Sequence, residues 1–149
     1  MPRRKQKHTL TTADAEYTRF LKSVEPITIS LIESRFRIDR DQYFKVGPKN
    51  LSVGWHCVPS NVHDDCFDAN AMLIVKLGSS ARPSKPVVEI NANFEMHFHV
   101  DKPLNRAFVD RFADSEVRIV MWPYFREYVS NVSGRMHIPP LLLPFATRG

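Results

Sequence analysis

Between Val88 and Val100 the apolar residues Val88, Ile90, Ala92, Phe94, Met96, Phe98 and Val100 alternate without a break with Glu89, Asn91, Asn93, Glu95, His97 and His99. A period of two held over so long a run is a β-strand with one apolar and one wet face. Such a strand needs neighbours for its backbone and a cover for its apolar side, so any fold of this chain contains a sheet packed on one face.

Three further segments supply the neighbours. Ile27, Ile29 and Leu31 alternate with Thr28 and Ser30, after which the apolar phase moves to Ile32, Phe36 and Ile38. A shift of one residue would turn the buried set outward, so a bulge or sharp twist is predicted near Leu31-Ile32. After a loop through Gly47-Pro48, Leu51, Val53, Trp55 and Cys57 alternate with Ser52, Gly54 and His56, and the polar stretch from Pro59 to Asn70 reads as a connection. The short branched run Met72 to Leu77 reads as a strand buried on both faces, closed by Gly78-Ser79-Ser80 and a linker from Pro83 to Pro86.

Helical periodicity brackets the strands. Ala13, Tyr17, Phe20, Leu21 and Val24 share one helical face, with Thr12 as N-cap and Glu25-Pro26 as the stop. Past Asp101 a short helix holds Leu104, Ala107, Phe108, Val109 and Phe112, and a longer one runs from about Ser115 to Arg135, ended by Gly134. Pro123 inside it removes a donor and crowds the preceding turn, which predicts a kink or a restart. The apolar stripe of this helix is wider than one small sheet requires, so Tyr124, Tyr128 and Val132 are assigned to contact with a second subunit. The chain ends in the apolar, proline-broken run Ile138 to Phe145. The fold class is α+β: a four-stranded antiparallel sheet with helices packed on one face.

At 149 residues, 43% of them hydrophobic, the chain suits one core: a basic tail over residues 1–11 and a single domain over 12–149. The formal charge is +5, and Arg3, Arg4, Lys5 and Lys7 carry four of those units. A solubilising end is one reading of that tail, attraction to a polyanion the other. No apolar run is long enough for a membrane span, and the charged start does not resemble a secretory signal, so the expected location is cytoplasmic. Nothing resembles a nucleic-acid-binding module.

Chemistry is sparse. Glu95, His97 and His99 share the wet face of one strand, a legitimate start to a metal site, but the same residues equally describe a solvated face and no further ligand is evident. His56, Cys57, His63, Asp64, Asp65 and Cys66 lack the close cysteine pair of a zinc knuckle, and the two cysteines read as buried thiols. No Ser or Cys sits in a glycine elbow beside a base. The chain therefore reads as a non-enzyme, with no catalytic residue, metal or other cofactor called for. What remains is apolar surplus. Phe44, Leu51, Val53, Trp55, Leu142 and Phe145 are the candidates for a groove that binds another polypeptide.

The stretch Met121-Trp122-Pro123-Tyr124-Phe125-Arg126-Glu127-Tyr128-Val129-Ser130, followed by Gly134-Arg135-Met136 and Pro139-Pro140-Leu141-Leu142-Leu143-Pro144, resembles the SecB family of export chaperones and their relatives. The resemblance spans Ile27 to Phe145, with a pattern match only over the strands. It implies a homo-oligomer, a dimer or a dimer of dimers, that holds non-native polypeptide in apolar grooves without ATP. Pro123 and Tyr124 would set the helix start, and Arg126 and Glu127 would be structural or interface residues.

Two departures bear on function. Export members of the family continue into a further helix and an acidic tail that contacts the motor SecA, whereas this chain stops at Gly149 and is basic. The helix ahead of the first strand is similar to that of the SecB-like chaperones of toxin-antitoxin systems. The leading expectation is thus a holdase whose client is an antitoxin. The alternatives are a general export chaperone that delivers preproteins to SecA and, more weakly, a metal-dependent enzyme using Glu95, His97 and His99.

Overall fold

A computed structural model describes residues 11–144 apart from 48, 80 and 102, and the backbone alone of Pro83. The basic tail before Thr11, and Phe145, lie outside the described residues. The elements follow in the order α1 (Thr12–Ser23), β1 (Val24–Ile38), α2 (Arg40–Lys45), β2 (Lys49–Ser60), β3 (Cys66–Ser79), β4 (Arg82–Val100) and α3 (Arg106–Arg135). The strands form one antiparallel sheet in the order β1-β4-β3-β2, so β1 and β2 are its edges.

The alternation in β4 does what its sequence dictates. Val88, Ile90, Ala92, Phe94, Met96, Phe98 and Val100 are all buried, and the residues between them are half-exposed on the open face. β3 pairs in register with it and follows the same rule: Phe67, Ala69, Ala71, Leu73, Val75 and Leu77 point to the core, whereas Met72 and Lys76 are exposed. β3 is therefore buried on one face, not two. Its apolar run misleads because Met72 and Ile74 lie on the open side. The Pro59–Asn70 stretch is largely strand, and the linker from Pro83 to Pro86 belongs to β4, where register shifts accommodate it.

The predicted irregularity in β1 is present, with a shift between Leu31 and Glu33 and another between Pro26 and Thr28. Thr11 rather than Thr12 caps α1, its side-chain oxygen accepting from the Asp14 amide at 3.2 Å. Tyr17 and Phe20 of α1 dock on Phe108 and Phe112, with Arg111 stacked 3.9 Å over the Tyr17 ring.

The two expected helices after Asp101 are one. Val109, Phe112, Ala113, Val117, Met121, Phe125, Val129 and Val132 form a continuous buried stripe that holds α3 together through Asp114-Ser115. Pro123 causes no restart, and it and Tyr124 lie mid-helix, not at its start; the proline sits on the exposed side, where water can reach the carbonyl it leaves unpaired. Past the end of α3, His137 adopts φ 54°. Its amide donates to Gly134 and that of Ile138 to Ser133, which closes the last turn.

Candidate functional site

α3 lies across the apolar face of the sheet and leaves two different flanks. On the β1 side, Val120 and Tyr124 face Pro26, Ile27, Thr28 and Ile29 across a hollow of about 290 Å³. On the β2 side, Trp55 stands edge-to-face on Phe125 at 5.3 Å, and Trp122 packs on the same phenyl ring at 6.1 Å.

The terminal segment returns along this second flank. Trp122 Nε1 donates to the Pro144 carbonyl, and Ser133 Oγ, itself donating to the Val129 carbonyl at 2.7 Å, accepts the Leu141 amide at 3.2 Å. These bonds fix the alternation of the tail: Leu143 is buried, and Leu142 points out with 74% of its surface exposed. The end of α3 is also tied to α2. Arg40 Nη1 donates to the Met136 carbonyl at 2.6 Å, a cation satisfying a helix C-terminal acceptor.

The groove candidates separate accordingly. Phe44 on α2 is 68% exposed, braced edge-to-face by Tyr43 and overlain by the Arg40 guanidinium at 5.6 Å. Leu51, Val53 and Trp55 line the helix-facing side of β2, half-buried against the core, so they are not free anchors. Leu142 is exposed, and Phe145 falls outside the described residues. Of the residues assigned to a second subunit, Tyr124 is exposed and Tyr128 half-buried against Phe94. Val132 is buried in its own subunit and has no side-chain surface to offer.

Sequence reasoning missed a second apolar surface. Ile27, Leu31, Ile32 and Phe36 on β1 are each 46–56% exposed. Leu31 pairs with Phe94 and Phe36 with Ile90, which places both on the helix-facing side but beyond the cover of α3. Alternation tells which side they face; only the helix position tells that α3 leaves them uncovered. β1 is also an edge strand, with no strand paired along its outer side among the described residues.

The open face of the sheet carries polar pairs. His97 Nδ1 donates to Asp68 at 2.5 Å, and Asn61 donates to the same carboxylate at 2.9 Å. Burial alone would raise the Asp68 carboxyl, but the Asn61 and His97 hydrogen bonds and the neighbouring imidazole charges outweigh it and hold the group below the usual carboxylate range. His99 pairs instead with Asp101 at 3.5 Å. His97 and His99 thus have separate engagements, and among the described residues no three His, Cys, Asp or Glu side chains are grouped to hold a metal. Burial pushes the Cys57 thiol up to about 12, aided by the Asp114 charge, so it stays protonated; Cys66 is only half-buried.

No family model matches the sequence, and no curated protein matches it. Among solved structures, the chain is similar to the Mycobacterium tuberculosis SecB-like chaperone Rv1957, determined in complex with a ChAD peptide from the antitoxin HigA1 (Rv1956). The two share 19% identity at a TM-score of 0.65, over 87% of this chain and 95% of that one. A protein of unknown function from Streptococcus agalactiae aligns at 11% identity and a TM-score of 0.40, over 82% of this chain and 97% of that one. The chain therefore has the SecB-like fold: a four-stranded antiparallel sheet carrying three helices. No helix among the described residues is long and apolar enough to cross a membrane.

Proposed function

We propose that this chain, built on the SecB-like fold, is an ATP-independent holdase that binds non-native polypeptide, and that its client is the antitoxin of a toxin-antitoxin-chaperone system. The observation that carries the reading is apolar surface left uncovered on both flanks of α3, in a molecule whose described residues group no metal ligands. Each large apolar client side chain taken from water there contributes about 1.5 to 3 kcal/mol, so a few modest anchors suffice for reversible holding. The complex of the similar mycobacterial chaperone with an antitoxin peptide supports the choice of client.

The two flanks suit different partners. On the β2 side, exposed Phe44 and Leu142 and half-buried Leu51, Val53 and Trp55 would take up the client's apolar side chains, and an extended client strand gains edge hydrogen bonds from β2 in addition. On the β1 side, the free edge and the Ile27, Leu31, Phe36 and Tyr124 surface suit a second copy of this chain, in a dimer or a dimer of dimers. Isolation of the endogenous complex followed by native mass spectrometry tests both parts, since it reports subunit count and partner together. A toxin-antitoxin pair held by an oligomer supports the reading; a spread of preproteins together with SecA replaces the antitoxin client by general export, and a lone monomer contradicts both parts.

A further inference from the structure

The formal charge of the whole chain is +5, and the tail before Thr11 carries most of it, so the body is nearly neutral. Its charge is nevertheless uneven. Around α2 and the β3–β4 connection stand Arg37, Arg40, Lys45, Lys49, Arg82 and Lys85, alongside three side-chain carboxylates of the same segments among the described residues. Two of those are engaged: Asp39 accepts the Gln42 amide at 3.1 Å, and Glu89 pairs with Arg37 at 3.2 Å; Asp41 is the third. Beside α2 opens a cavity of about 720 Å³ whose lining includes Arg37, Arg82, Lys85, Gln42 and Ser84, with Asp39 as its one acid.

The exposed apolar anchor Phe44 stands on the same short helix, beside the cations at that helix and at the start of β2. Phe44 lies under the Arg40 guanidinium at 5.6 Å, and its neighbour Tyr43 lies under Lys49 Nζ at 4.6 Å. A client side chain that packs on Phe44 must therefore bring its flanking residues among cations. Basic flanks are repelled there, and carboxylate flanks are attracted with little screening inside a Debye length.

We propose that the client segment seated at α2 is acidic: an extended polypeptide whose aromatic or aliphatic anchor packs on Phe44, and whose flanking Asp or Glu residues meet Arg40, Lys45, Lys49 and the basic cavity. This deepens the holdase reading and rests on it, since it names the chemistry of what the groove selects.

The test uses the full chain and three fluorescein-labelled peptides that share one tryptophan-centred apolar core, flanked by glutamates, serines or lysines, with affinity read by fluorescence anisotropy. At low salt the glutamate-flanked peptide binds about tenfold tighter than the lysine-flanked one, because a few partly exposed ion pairs sum to that amount. Near 0.5 M salt the gap closes as the screening length falls to a few ångströms. Arg40 also fastens α3, so the variant is Lys45→Gln/Arg82→Gln/Lys85→Gln, which narrows the preference, while Arg19→Gln/Lys22→Gln on α1 leaves it intact.

Equal affinity for all three peptides, a preference for lysine flanks, or a preference untouched by the triple substitution overturns the inference. If the serine-flanked peptide still binds in any of these cases, the holdase reading survives alone. If no peptide binds and a reduced, carboxymethylated unfolded protein is not held either, both fall.

Discussion

Trp55 on edge strand β2 meets Phe125 in the middle of α3 edge-to-face, at 5.3 Å between ring centroids and 62° between ring planes. Phe125 also touches Phe94 and Trp122, so one buried ring joins the sheet, the helix and the flank along which the tail returns. Phe125→Ala is expected to cost about 3 to 5 kcal/mol in urea unfolding, the usual range for emptying a phenylalanine site in a core. Phe44→Ala, at an exposed position, should stay within about 0.5 kcal/mol of the parent. Similar losses for the two would contradict the division between core and groove.

Ser133 holds the tail by a single buried hydroxyl that donates to Val129 and accepts from the Leu141 amide. Ser133→Ala leaves that amide without its partner, at about 1 to 3 kcal/mol if it stays buried. Denaturation should report the loss, and hydrogen exchange should show faster exchange at Leu141 while the centre of β4 stays protected. Unchanged exchange at Leu141 would show that the tail is held by other means.

The Asp68 carboxyl is held below its ordinary range in the folded protein, which gives a signed pH dependence. The unfolded group titrates near about 3.9. Its stabilisation is therefore fully present above that pH and is lost as pH falls through the lower folded-state value. Asp68→Asn removes this term, so the urea midpoint of the variant should fall less than that of the parent between pH 5 and the onset of acid unfolding. Parallel midpoint curves would contradict the assignment.

Leu31 and Phe36 sit on an edge strand with their side chains uncovered. If a second copy covers them, Leu31→Glu/Phe36→Glu buries two carboxylates at that contact and should shift sedimentation to the single-subunit species, with far-UV circular dichroism unchanged. A variant that sediments like the parent would move the subunit contact elsewhere, Tyr124 being the next residue to change.

What the sequence made legible, and what it hid, follows from the range of the forces involved. The strand Val88–Val100 and the slip at Leu31-Ile32 are local patterns, and both appear in the sheet. The continuity of α3 was hidden because Asp114-Ser115 and Pro123 weaken a helix locally, whereas burial of Phe112, Val117 and Met121 against the sheet outweighs that weakness. The six-residue α2 is too short for periodicity to register, so the helix that carries Phe44 is not legible in the pattern. Among the groove candidates, strand alternation places Leu51, Val53 and Trp55 on one side without telling how far α3 covers them. In the tail, composition could not distinguish exposed Leu142 from buried Leu143, since the bonds of Ser133 and Trp122 decide that.

The central claim is that uncovered apolar side chains beside α3 hold an unfolded guest. Light scattering of a chemically unfolded, aggregation-prone protein diluted into this protein without ATP tests it most directly, with the parent compared against Phe44→Asp/Leu142→Asp. Trp55 is left intact because it packs on Phe125. The account predicts that the parent suppresses scattering at near-stoichiometric ratio and that the variant, with an unchanged melting temperature, does not; full suppression by the variant would contradict it.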